Sequence, residues 1–112
     1  MYEHVRGRAK RVLVVGASGG GSDLSPHEAL APDGLLIVME DDATRAAELR
    51  RSHALDGLGL RATVIGGDPQ RMLHKLAGPF DVIFCAREYL SARPRLEQLL
   101  APDGLLITNG DT

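Results

Sequence analysis

Tryptophan is absent from the sequence, aromatic residues make up only 4%, and cysteine occurs once, as Cys85. A core with so few large rings has to be assembled from Val, Leu, Ile and Ala. A lone cysteine excludes an internal disulfide framework and fits a reducing compartment, so a cytoplasmic location is expected. Long apolar runs are also lacking. The run after the basic lead-in covers only about five residues before glycine, too short for a secretory core or a membrane span. Nor is there an excess of positive charge: the formal net charge is -2 and the pI is near 6.0. That balance provides no electrostatic footprint for nucleic acid, and Arg6, Arg8, Lys10 and Arg11 read as a solvated lead-in.

What is present points to one layered domain. The chain has 112 residues, of which 44% are hydrophobic, enough for a single core flanked by helices and too little for a second domain. The organising stretch runs from Arg11 to Asp42. Val12, Leu13, Val14 and Val15 form an unbroken apolar run, as a strand covered on both faces of a parallel sheet requires. Gly16 ends it, and Ala17, Ser18, Gly19, Gly20 and Gly21 follow, a loop whose backbone can turn sharply and approach a ligand. Leu35 to Met39 form a second apolar run, with Glu40, Asp41 and Asp42 at its carboxyl end. In an open parallel sheet that end faces the ligand crevice.

The remaining elements alternate. Ser25, Pro26, His27 and Glu28 spell a capping box with proline at the first helical position, so a helix of under two turns is expected from about Pro26 to a turn at Pro32-Asp33-Gly34. Asp42 caps the next helix, with Ala46, Leu49 and Ala54 on its apolar stripe and a stop at Gly57. Leu60 to Ile65 alternates apolar and polar residues, which suits an edge or half-exposed strand. Asp68-Pro69 opens a short helix that buries Met72, Leu73 and Leu76. Asp81 to Ala86 is a fourth strand, Arg93-Pro94 precedes a helix with Leu96, Leu99 and Leu100, and a fifth strand runs from about Leu105 to Thr108. Strands alternating with short helices imply a parallel α/β sheet with right-handed crossovers. The segment LAPDGLLI occurs twice, at Leu30 to Ile37 and Leu100 to Ile107, and reads as one helix-to-strand turn solved twice.

From Arg11 to Gly110 the sequence resembles the class I S-adenosylmethionine-dependent methyltransferases, most closely their small-molecule O-methyltransferase branch. VLVVGASGG stands where that family has its glycine-rich cofactor loop, and IVMEDD where it has the acidic residue that holds the ribose hydroxyls. GGDPQRML is similar to the segment whose aspartate reads the adenine amine, and GPFDVIF followed by LLAPDGLLI is similar to its fourth and fifth strands. The resemblance implies a Rossmann-like sheet in the order 3-2-1-4-5 and S-adenosylmethionine or S-adenosylhomocysteine as cofactor. The cofactor-binding set would be Gly16, Ala17, Ser18, Gly20, Glu40, Asp41, Asp68, Pro69 and Ala86, with Glu40 on the ribose and Asp68 on the adenine. The residue types suit those partners, because a ribose diol and an exocyclic amine both present donors to a carboxylate. Ala86, Asn109 and Gly110 stand where the metal-dependent members carry metal ligands, so no divalent cation is expected. A small-molecule acceptor is implied.

Three other readings of these residues stand beside it. VVGASGG is also similar to the short-chain dehydrogenase loop, whose family needs a Tyr-x-x-x-Lys pair; here Tyr89 is followed at that spacing by Arg93, and the lysines are only Lys10 and Lys75. A missing Gly-Lys-Ser/Thr excludes a P-loop NTPase. A non-catalytic cofactor-binding module stands as the alternative to an enzyme, since the lid helices and later strands of the family have no counterpart here. His4, His27, His53 and His74 lack metal-pair spacing and read as solvated or locally bonded, and Cys85 as a buried hydrophobe. With strands in this order, Leu105, Leu106 and Ile107 would form an unblunted edge, and a homodimer through it is expected.

Overall fold

The structure, a computed structural model, describes residues 6–16 and 26–108. Five parallel strands form one sheet in the order β3-β2-β1-β4-β5. They are β1 (Ala9–Val15), β2 (Leu30–Glu40), β3 (Ala62–Gly66), β4 (Phe80–Cys85) and β5 (Leu100–Thr108), alternating with α1 (Pro26–Ala29), α2 (Ala43–Leu55), α3 (Pro69–Met72) and α4 (Arg93–Leu99). The expected fold and strand order are both present. Among the described residues no helix is long and apolar enough to cross a membrane.

The apolar run in β1 is continuous because both of its faces are covered. Val12 and Val14 point into one cluster with Leu36, Val38, Val64, Val82, Ala29 and Ala46. Leu13 and Val15 point into the other, with Met39, Ile83, Cys85, Leu73, Leu96 and Leu99. Alternation along each strand therefore feeds two cores. Helices α1 and α2 close the first, and α3 and α4 the second.

The repeated LAPDGLLI is one local solution used twice, and it corrects two expected boundaries. Along β1 the pairing passes from Ala9↔Leu30 to Arg11↔Leu35, and along β4 from Phe80↔Leu100 to Val82↔Leu105. Pro-Asp-Gly is thus a bulge inside each strand, and not a turn before it. Leucine folds back over glycine in both: a Cβ at Gly34 would lie 2.6 Å from Leu30 Cδ1, and one at Gly104 2.9 Å from Leu100 Cδ2. The Asp81 carboxylate accepts from Lys10 N at 2.8 Å and Arg11 N at 3.2 Å, satisfying β1 amides beside this irregularity. Leu100, expected in the last helix, begins β5 instead.

Helix α2 differs from expectation in its buried face. Ala46 is buried and Leu49 partly so, but Ala54 is exposed and His53 is buried at 3% exposure. His53 stacks obliquely on His27 of α1, ring centroids 5.6 Å apart, and its Nδ1 has no hydrogen-bond partner. The expectation of a solvated or locally bonded histidine fails here, because the ring is buried against His27 of α1.

Candidate functional site

The chain reverses its direction of travel across the sheet between β1 and β4, and the crevice of an open α/β sheet lies at the carboxyl ends of strands at that reversal. Four strand ends meet there. Gly16 leaves β1 in the left-handed region, φ +75°, with its amide donating to Met39 O at 2.9 Å. Ala86 leaves β4 with its amide donating to Val15 O at 2.8 Å. Glu40 ends β2, and Gly67, at φ +127°, follows β3 and donates to Glu40 O at 3.3 Å.

The acidic tip of β2 divides into three roles. Glu40 is 1% exposed; its Oε2 accepts from Asp42 N at 2.9 Å, and Arg45 Nη1 lies 3.8 Å from Oε1. A carboxylate this buried is retained only where donors surround it. Asp42 is the N-cap of α2, accepting from Thr44 N at 2.8 Å and Arg45 N at 3.1 Å. Asp41 is exposed and faces Tyr89. The Tyr89 phenol, then the neighbouring Glu40, holds its carboxyl below the usual carboxylate range.

Asp68 is the N-cap of α3, its Oδ1 accepting from Gln70 N at 3.0 Å, with Pro69 buried at the first helical position. A carboxylate has acceptor capacity beyond one cap bond. Ala86 is 2% exposed and its carbonyl accepts from Tyr89 N at 2.9 Å. The structure therefore places Gly16, Glu40, Asp41 and Ala86 together at the crevice, with Asp68 and Pro69 beyond the end of β3. Ala17, Ser18 and Gly20 lie outside the described residues, as do Ser25, Asn109 and Gly110.

Tyr89 is the site residue that sequence reasoning missed. In the sequence it reads only as half of a dehydrogenase pair, yet its ring covers Gly16: a Cβ built there would lie 2.6 Å from Tyr89 Cε2 and 2.9 Å from the Ala86 Cβ. One signal existed, an aromatic side chain one turn past β4 in a chain with two tyrosines. Burial, then the Asp41 interaction, pushes the Tyr89 phenol up to about 12. A dehydrogenase tyrosine needs a neighbouring cation to bring its pKa down, and Tyr89 has an anion.

Cys85 is similarly inert. Burial pushes its thiol up to about 11, and its Sγ donates to Ala86 O at 3.3 Å. Among the described residues no group of three His, Cys, Asp or Glu side chains is placed to hold a metal ion. The site thus offers hydrogen-bond acceptors and glycine backbone, which suit binding and alignment of a donor-rich ligand.

No protein-family model matches the sequence, and no curated protein matches it. Solved structures do. The S-adenosylhomocysteine-bound methyltransferase PaMTH1 of Podospora anserina is 26% identical, with a TM-score of 0.75, over 89% of this chain and 45% of its own. Cofactor-bound Rv0187 from MTB is 25% identical, TM-score 0.77, over 89% and 48%. The O-methyltransferase TomG of Streptomyces achromogenes, in complex with SAM, is similar in fold at 21% identity, TM-score 0.73, over 89% and 48%. The chain spans about half the length of these neighbours. Strand order, crevice and neighbours agree: the chain has the O-methyltransferase-like fold of the class I S-adenosylmethionine-dependent methyltransferases.

Proposed function

We propose that this chain binds S-adenosylmethionine, or its product S-adenosylhomocysteine, across the carboxyl ends of β1 and β2 and serves methyl transfer to a small-molecule acceptor. The observation that carries the reading is the Glu40 carboxylate, buried at 1% exposure at the tip of β2, one strand from the left-handed Gly16. The residues fit the cofactor's chemistry. Glu40 and Asp41 are acceptors suited to a ribose diol, Asp68 and the backbone near Pro69 suit an adenine edge, and Gly16 and Ala86 keep bulk away from the crevice floor. The glycine-rich stretch at Ala17, Ser18 and Gly20 would complete the cradle.

The cofactor supplies an activated methyl group on a sulfonium. The protein's part is alignment of acceptor, methyl and sulfur, with acceleration coming from proximity and from excluded water. Neither the Cys85 thiol, pushed up to about 11, nor the Tyr89 phenol, pushed up to about 12, is a ready base for an acceptor hydroxyl at neutral pH. That same observation favours the second reading, a cofactor-binding module without turnover. The reading also includes a cytoplasmic setting, and self-association through β5, the outer strand of the described sheet, which carries the half-buried Leu105 and Leu106. Light scattering with Leu106→Lys tests the last point; a dimer indifferent to the lysine would contradict it. Titration calorimetry with S-adenosylmethionine and with NADP tests the reading itself. Heat from the first alone is expected, and heat from NADP alone would overturn it.

A further inference from the structure

Two groups from the start of α2 converge on one buried carboxylate. Glu40, at the end of β2, is 1% exposed. Its Oε2 accepts from the Asp42 amide at 2.9 Å, and Arg45 Nη1 stands 3.8 Å from its Oε1. The same turn holds both groups in place: the Asp42 carboxylate caps α2, accepting from Thr44 N at 2.8 Å and from Arg45 N at 3.1 Å. Arg45 thus reaches Glu40 from a backbone position tied to the residue that already bonds it. The two contacts differ in kind. At 2.9 Å the amide takes a lone pair of Oε2, whereas a guanidinium at 3.8 Å lies beyond hydrogen-bond range and attracts the charge without taking a lone pair of Oε1.

We propose that Arg45 is a positioning residue for the cofactor, fixing the Glu40 carboxylate at the tip of β2 by its charge and acting on the ligand only through Glu40. The inference rests on the cofactor reading above. A carboxylate withdrawn from water is retained only against donors and cations, and Arg45 supplies the cation. The Arg45 side chain is itself 53% exposed, so the pair costs less desolvation than one with both partners buried. With Arg45 in place, Glu40 is held as a charged acceptor for ribose O–H groups, whose charge-assisted bonds are the stronger kind. Without it, Glu40 keeps only the Asp42 amide from this turn, and its hold on the diol weakens.

The test is a double-mutant cycle read by titration calorimetry with S-adenosylmethionine, at a temperature where circular dichroism shows every variant folded. Arg45→Met removes the charge and keeps a long side chain. It should bind roughly three- to tenfold more weakly, the scale of coupling between neighbouring residues. Arg45→Lys keeps the charge and should recover most of that loss. In a Glu40→Gln background Arg45→Met should cost nothing further, because no charge is left for it to hold, whereas a merely structural role would persist there. Equal affinity of Arg45→Met and the unaltered chain would overturn the positioning role while leaving the cofactor reading standing. An undiminished loss in the Glu40→Gln background, or equal losses in Arg45→Met and Arg45→Lys, would overturn it as well. Absence of binding by the unaltered chain would overturn the cofactor reading, and the role of Arg45 with it.

Discussion

Gly16 and Tyr89 are mutually exclusive with any larger residue at the end of β1. The glycine occupies φ +75° and a Cβ there would lie 2.6 Å from the Tyr89 ring. Gly16→Ala therefore combines left-handed strain with overpacking, and a loss of roughly 2 to 4 kcal/mol of stability is expected. Urea unfolding measures it. A loss below about 0.5 kcal/mol, the scale of an ordinary surface change, would show that ring and strand end separate freely.

Stability should fall below neutral pH because of His53. Its ring is 3% exposed with an unpartnered Nδ1, and burial, then the His27 beside it, lowers its pKa from 6.5, while Asp56 opposes the shift. His27 Nε2 lies 3.4 Å from Asp56 Oδ2, and both groups act on His53. A histidine with a lowered folded pKa takes up its proton more readily when unfolded. Its stabilising effect is therefore complete above the unfolded value of 6.5 and is lost as pH falls from there toward the folded pKa. Melting temperatures at pH 7.5 and 5.5 should differ, and His53→Phe should narrow the gap. An equal gap in the variant would assign the pH dependence elsewhere.

The two Pro-Asp-Gly bulges make a paired prediction. Gly34→Ala meets Leu30 Cδ1 at 2.6 Å and Ala9 O at 2.8 Å, whereas Gly104→Ala meets Ala101 O and Leu100 Cδ2, both at 2.9 Å. Both should destabilise by about 1 to 3 kcal/mol, with Gly34 the larger because it lies in β2, which has a strand on each side, whereas Gly104 lies in β5, the outer strand of the described sheet. Thermal unfolding of the two variants checks the order. Two neutral substitutions would mean that the leucines swing away without cost.

Much of this was legible in the residues, for physical reasons that differ by element. Val12 to Val15 announced a strand buried on both faces, and Asp42 and Asp68 announced helix starts, because apolar continuity and capping are local properties. Glu40 was legible as the end of an apolar run. The bulges were not, because Pro-Asp-Gly encodes a turn locally and only pairing with β1 and β4 draws it into a strand. His53 and Tyr89 were missed for a related reason. Their burial depends on what α1 and Gly16 leave open, which is a tertiary relation with no period in sequence.

The most direct test of the central claim is the affinity of Glu40→Gln for S-adenosylmethionine beside that of the unaltered chain. Glutamine keeps an acceptor for Asp42 N and removes the charge. The account predicts binding weaker by roughly 1.5 to 3 kcal/mol, the worth of a charged hydrogen bond, at a temperature where both free proteins remain folded. Equal affinity in the two proteins would contradict it.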